Sequence, residues 1–245
     1  METADRNTKA AALFAGLSYL GLALTGMGGF LWIRPSLYAA GAPASTLANL
    51  LAHEELARAG IALELGVVLT QALAAVAFFA LFRAVSSLAA GALTAFGLIN
   101  STLILGSACA LATALSLATD PSLAPASDAA PTVQLLYVLS GHAWSLGGLF
   151  FGLWLMPMGY LVIASRRMPR VLGWILITGG VGYVVSAFTA CLLPELRTMT
   201  ELLAMPATVG ELWMIGYLLT IGLRRGDRTR ASVEAAPSAR APLAS

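Results

Sequence analysis

The chain has 245 residues, 58% of them hydrophobic and 11% charged, whereas soluble chains carry about 25% charged residues. With a mean hydropathy of +0.82, this composition excludes a soluble globule and defines a membrane protein. A net charge of +2 leaves no electrostatic footprint for nucleic acid, and two cysteines exclude a disulfide scaffold or a thiolate metal cluster.

A bilayer core of about 30 Å is crossed by roughly 20 apolar residues in a helix, and six stretches meet that length. The first runs from Ala10 to Ile33 between Lys9 and Arg34, reaching about 36 Å. Its length exceeds the ~7–15 apolar residues of a signal peptide, so it is read as a retained span despite the small residues Ala39 to Ala42. Pro35 to Pro43 reads as an irregular loop, followed by a short amphipathic helix with Ser45 as N-cap and Leu47, Leu50 and Leu51 on one side. That helix is expected to run into the second span, Ala59 to Phe82. The third covers Val85 to Leu117, the fourth Val133 to Ala164, the fifth Val171 to Leu193 and the sixth Ala207 to Leu223. Pro157 lacks an amide hydrogen and should kink the fourth. The fold class is therefore an all-α, six-span transmembrane bundle over residues 1–225. The Ala-, Ser-, Pro- and Arg-rich segment 226–245 reads as a disordered cytoplasmic tail.

Charge in the connections sets the expected orientation. Arg6, Lys9, Arg83, Arg166, Arg167, Arg170, Arg224, Arg225, Arg228, Arg230 and Arg240 fall on one side, against Arg34, Arg58 and Arg197 on the other. The excess on one side predicts cytoplasmic termini in a bacterial inner membrane. Small residues recur at Thr178, Gly182, Ser186 and Ala190, and Gly148 and Gly152 form a GxxxG. Such spacing allows close helix packing in lipid, within one chain or between copies in a homo-oligomer. Cys109 and Cys191 read as buried small hydrophobes rather than a disulfide.

Ionisable groups inside spans cost about 2.5–3.5 kcal/mol on insertion scales and ask for a partner or a role. Glu64 and Gln71 stand seven residues apart on one helix face. Glu54 and Glu55 precede Arg58 at ion-pair spacing. Asn100, His142 and Glu211 lie in the third, fourth and sixth spans. Arg58, Glu64, His142 and Glu211 are expected in one outer layer, forming a polar pocket with Gln71 and Asn100 beneath it. One buried His with two carboxylates, even with His53 added, lacks the spacing of a metal site. No nucleophile elbow or phosphate loop is present. No cofactor, metal or nucleic-acid partner is therefore expected. The bilayer and a small-molecule, ion or lipid ligand are the expected partners. Two other readings remain open: an enzyme using Glu64, His142 and Glu211 as acid and base, and an accessory membrane subunit.

Several short pieces, in order, carry a resemblance: Glu55-Leu56-Ala57-Arg58-Ala59-Gly60, Leu81-Phe82-Arg83-Ala84-Val85, Phe151-Gly152 through Gly159-Tyr160-Leu161 to Ser165, Pro169-Arg170-Val171-Leu172-Gly173, Tyr183, Pro194 and Gly210-Glu211-Leu212-Trp213. Over residues 8–223 the chain resembles the bacterial multi-pass family called domain of unknown function 4386. Members of that family often carry Asp where this chain has Glu64, and Leu where it has Met168. The resemblance implies a six-span bundle and brings no catalytic residue with it.

Overall fold

The computed structural model describes residues 2–125, 128–193, 195 and 197–220; the tail expected at 226–245 lies outside them. Among the described residues every regular element is helical. α1 (Glu2–Gly26) passes into a π-helical stretch, Met27–Ile33, and then a single turn, α2 (Arg34–Leu37). There follow α3 (Pro43–Ala52), α4 (Glu54–Phe82), α5 (Ser87–Thr119), a 3₁₀ turn at Pro121–Leu123, α6 (Ala129–Ser165), α7 (Arg170–Leu192) and α8 (Arg197–Thr220).

Among the described residues six helical stretches are long and apolar enough to cross a membrane, the first running through α1, the π-helical stretch and α2, and no more than 44% of any apolar window is buried within the protein. The remainder, including Leu31, Trp32, Leu69 and Trp174, faces outward, as it does in a bundle solvated by lipid. Contacts run α1–α4, α4–α5, α5–α6, α6–α7, α7–α8 and back from α8 to α1, closing a ring. The start of α1 and the end of α8 share one face, where a side chain at Gly16 would meet Leu218. α2, α3 and the 3₁₀ turn at Pro121–Leu123 gather at the other, the loop face.

Local chemistry explains the boundaries. The side chains of Ser86 and Asp128 accept amide hydrogens at the starts of α5 and α6 (3.3 and 3.2 Å), satisfying donors that the first helical turn cannot. α6 ends at Arg166 in the left-handed conformation (φ 54°). Pro157 stays inside a continuous α6.

Three expectations are corrected. The expected loop from Pro35 to Pro43 is shorter: Pro35 to Leu37 belong to α2, since Pro35 occupies its first turn, where a missing amide hydrogen costs nothing, and residues 38–42 are irregular. The N-cap of α3 is Ala42, with Pro43 opening the helix. Thr46, one residue past the expected cap, is buried and bonds Ala39 and Gln134 instead. α3 also stops at His53 rather than merging with α4, and it seats on α6 as a cap over the loop face.

The small residues seal the α6–α7 seam. A Cβ on Gly152 would stand 2.5 Å from the Gly180 carbonyl oxygen, and one on Gly180 2.7 Å from that of Gly152. Gly159 and Gly173 face one another in the same way, so two glycine pairs, seven residues apart on each helix, bring the backbones together. Gly182 packs likewise on the backbone of Leu203 in α8. Cys109 and Cys191, expected inside, are exposed and unpaired, since each projects from the outer side of its helix. The protein should therefore migrate identically on denaturing gels with and without reductant; a reductant-sensitive shift would contradict this geometry.

Candidate functional site

The six residues expected to form one pocket separate into four places. Arg58 lies on the surface, its side chain 59% exposed, and pairs with Glu54 at 2.5 Å across one helical turn. It lines an open groove of about 410 Å³ between α4 and α5. His142 is exposed: it is two residues from both Ser140 and Trp144, about 200° around α6 from their inward face. Glu211 is deeper than expected, because α8 starts at Arg197 and puts fourteen residues, about 21 Å, above it. Its Oε1 accepts from the Tyr19 hydroxyl at 2.7 Å. Glu64, Gln71 and Asn100 are interior, at 5, 0 and 5% exposure, and Asn100 donates to Gln71 Oε1 at 2.8 Å. The single outer layer is thus corrected to an α4–α5 file, with Glu211 held apart.

The centre nearest the loop face forms around Glu64 and an unanticipated partner, Arg34. The Glu64 Oε1 accepts from Trp144 Nε1 at 2.9 Å, while Oε2 is buried without a hydrogen-bond partner. Arg34 donates to Ser140 Oγ at 2.8 Å and to the Tyr137 carbonyl at 2.6 Å. Ser140 and Ser107 share a 2.7 Å hydrogen bond. Arginine can only donate. Ser140 therefore accepts from Arg34, and either hydroxyl can donate in its hydrogen bond with Ser107. The guanidinium also lies 5.6 Å from the Phe30 ring centre and 6.0 Å from that of Tyr137, contacts that favour a cation.

Arg34 and Glu64 line one cavity of about 20 Å³, with Gly29, Gly60, Leu111 and Tyr137 among its walls. That volume accommodates about one water molecule. The two charged groups form no direct salt bridge, so a polar occupant of the cavity stands between a donor and an acceptor.

The sequence placed Arg34 only as the charge that closes the first span on its outer side. A π-helical stretch precedes it, and i→i+5 turns accommodate an extra residue and rotate the following helix face. The usable sequence signal lay elsewhere. Ser107 and Asn100 on α5 are seven residues apart, as are Glu64 and Gln71 on α4, so two polar heptad pairs face each other on antiparallel helices. Among the described residues no group of three or more His, Cys, Asp or Glu side chains is arranged to hold a metal ion.

The closed ring of six apolar helices around a buried polar centre defines a multi-pass helical membrane protein. The family model described as Domain of unknown function (DUF4386) matches residues 14–222, and the chain belongs to that family. No curated protein and no solved structure matches it.

Proposed function

We propose that this membrane protein binds and releases a proton at Glu64, reached through the water-sized cavity that Glu64 shares with Arg34. One observation carries the reading. A carboxylate 5% exposed, in a span, keeps one oxygen without a partner beside a cavity too small for a lipid or metabolite. Buried polar atoms are almost always paired, and intramembrane carboxylates mark ion and proton sites by default. The size of the cavity favours a proton and the water that carries it over the small molecule, ion or lipid expected from the sequence.

An acid–base enzyme is the less favoured reading. Its only imidazole within the spans is on the outer surface of α6, away from Glu64. The protein is further read as a bacterial inner-membrane protein with cytoplasmic termini; the excess of basic residues on one side supports that orientation.

Infrared difference spectroscopy of the purified protein, stepped in pH, tests the proposal. A band from a buried protonated carboxyl should titrate in the wild type, shift in heavy water and lose one component in Glu64→Gln. Glu211→Gln should remove a separate component and leave the first in place. Identical spectra for the wild type and Glu64→Gln across the accessible pH range would overturn the reading.

A further inference from the structure

The unpartnered atom of Glu64 is one of three. Among the described residues, the buried side-chain polar atoms without hydrogen-bond partners are Glu64 Oε2, Gln71 Nε2 and Trp154 Nε1, on residues that are 5, 0 and 0% exposed. They fall at successive depths along the bundle interior. Gln71 is seven residues from Glu64 on α4, about 10 Å further in, and is tied to Asn100 on α5. Trp154 Nε1 borders Gly97, where a Cβ would stand 3.3 Å from it, and Gly97 is one turn from Asn100. The Trp154 ring then meets Tyr19, centre to centre at 5.2 Å, and the Tyr19 hydroxyl donates to Glu211. Phe78, fourteen residues from Glu64 on α4, packs on the same Tyr19 ring. The two carboxylates are therefore separated along the bundle by about 20 Å, most of a hydrocarbon core about 30 Å thick.

Glu64 Oε2 thus opens the file, and the other two atoms, Gln71 Nε2 and Trp154 Nε1, lie between it and Glu211. Each unpartnered donor or acceptor costs about 1–3 kcal/mol, and bridging water is the usual remedy. Two glycines let the neighbouring helices close onto the file: a Cβ on Gly97 would stand 3.3 Å from Trp154 Nε1, and one on Gly147 3.0 Å from Asn100 Oδ1.

We propose that this file conducts protons between Glu64 and Glu211, carried on water molecules that bridge the Gln71–Asn100 pair and Trp154. The inference rests on Glu64 as a proton site and adds its route. The Glu64 carboxylate takes a proton from water at the loop face and gives it up to water in the file. The Glu211 carboxylate receives it and releases it towards the opposite face. No bond other than O–H forms or breaks, and each passage moves one positive charge down an imposed gradient. Glu64 is faced by Arg34, Tyr137, Trp144 and Ser107, and Glu211 by Tyr19 and Tyr183. Gln71, Asn100 and Trp154 between them carry no charge and act by holding water.

The test reconstitutes the full chain in liposomes with an entrapped pH dye and drives protons with a potassium–valinomycin potential. The wild type should pass protons faster than protein-free liposomes. Gln71→Leu should slow passage at least about tenfold, because an apolar side chain removes one hydrogen-bonded step. Gln71→Leu/Asn100→Leu replaces both partners together, which preserves packing better, and should be slowed equally. Wild-type flux no faster than protein-free liposomes, or undiminished flux in the folded double variant, would overturn the route. If the Glu64 infrared component persists in that case, only the route falls; if it is missing from the wild type, the proton site falls first.

Discussion

Replacing Gly152 or Gly180 with leucine is expected to have the largest effect on stability of any single change considered. At both positions the added Cβ would run into the carbonyl oxygen of the facing glycine, and α6 and α7 could accommodate it only by moving apart. Overpacking ordinarily costs about 1–3 kcal/mol, and a backbone-on-backbone clash belongs at or above the top of that range. Stabilities of about 5–15 kcal/mol leave little margin. Thermal unfolding in detergent should show a much lower midpoint, or size-exclusion chromatography the loss of monodisperse protein. Gly91 and Gly216 have nothing within 4 Å of an added Cβ, so alanine there should leave both readouts unchanged. Wild-type unfolding of Gly152→Leu would refute the close seam.

The second large effect is expected at Arg34. Its replacement by methionine keeps most of the side-chain volume but removes the cation near Glu64 and the donors to Ser140 and the Tyr137 carbonyl. Each polar group left without its partner costs about 1–3 kcal/mol, and Glu64 loses the nearest cation as well. Arg34→Met should therefore be strongly destabilising. Combining it with Glu64→Gln should recover part of the loss, since the second change removes the stranded charge. A double-mutant cycle by equilibrium unfolding in mixed micelles measures this coupling. Strictly additive losses would show that the two groups do not interact across their shared cavity.

How much was legible in the sequence follows from what each signal measures. Six apolar runs identify six spans because hydrocarbon thickness fixes helix length, and the described residues contain six candidate membrane-spanning helices. The Glu54–Arg58 pair was readable because both residues belong to one helix and helical spacing brings them together. Convergence of groups from different helices was not readable. Equal distance from a span end determines depth but not azimuth, which is why His142 projects outward while Ser140 and Trp144 point in. Glu211 went astray for another reason: the apolar signal starts near Ala207, whereas α8 extends ten residues further towards its N-terminus. Arg34 was hidden by its position between a π-helical stretch and a proline, features whose geometry composition does not record.

The unequal lengths of the helices have a consequence for the surrounding membrane. α6 has 37 residues and its neighbour α7 has 23, about 55 and 34 Å respectively. A flat hydrocarbon slab of constant thickness cannot match both sides of such an object. Lipids along the α7 edge encounter a helix close to their own span, while those along α5 and α6 border a taller wall whose upper part stands among the headgroups. Hydrophobic mismatch therefore varies around the circumference, and it should be relieved by tilt or by an annulus of uneven acyl thickness.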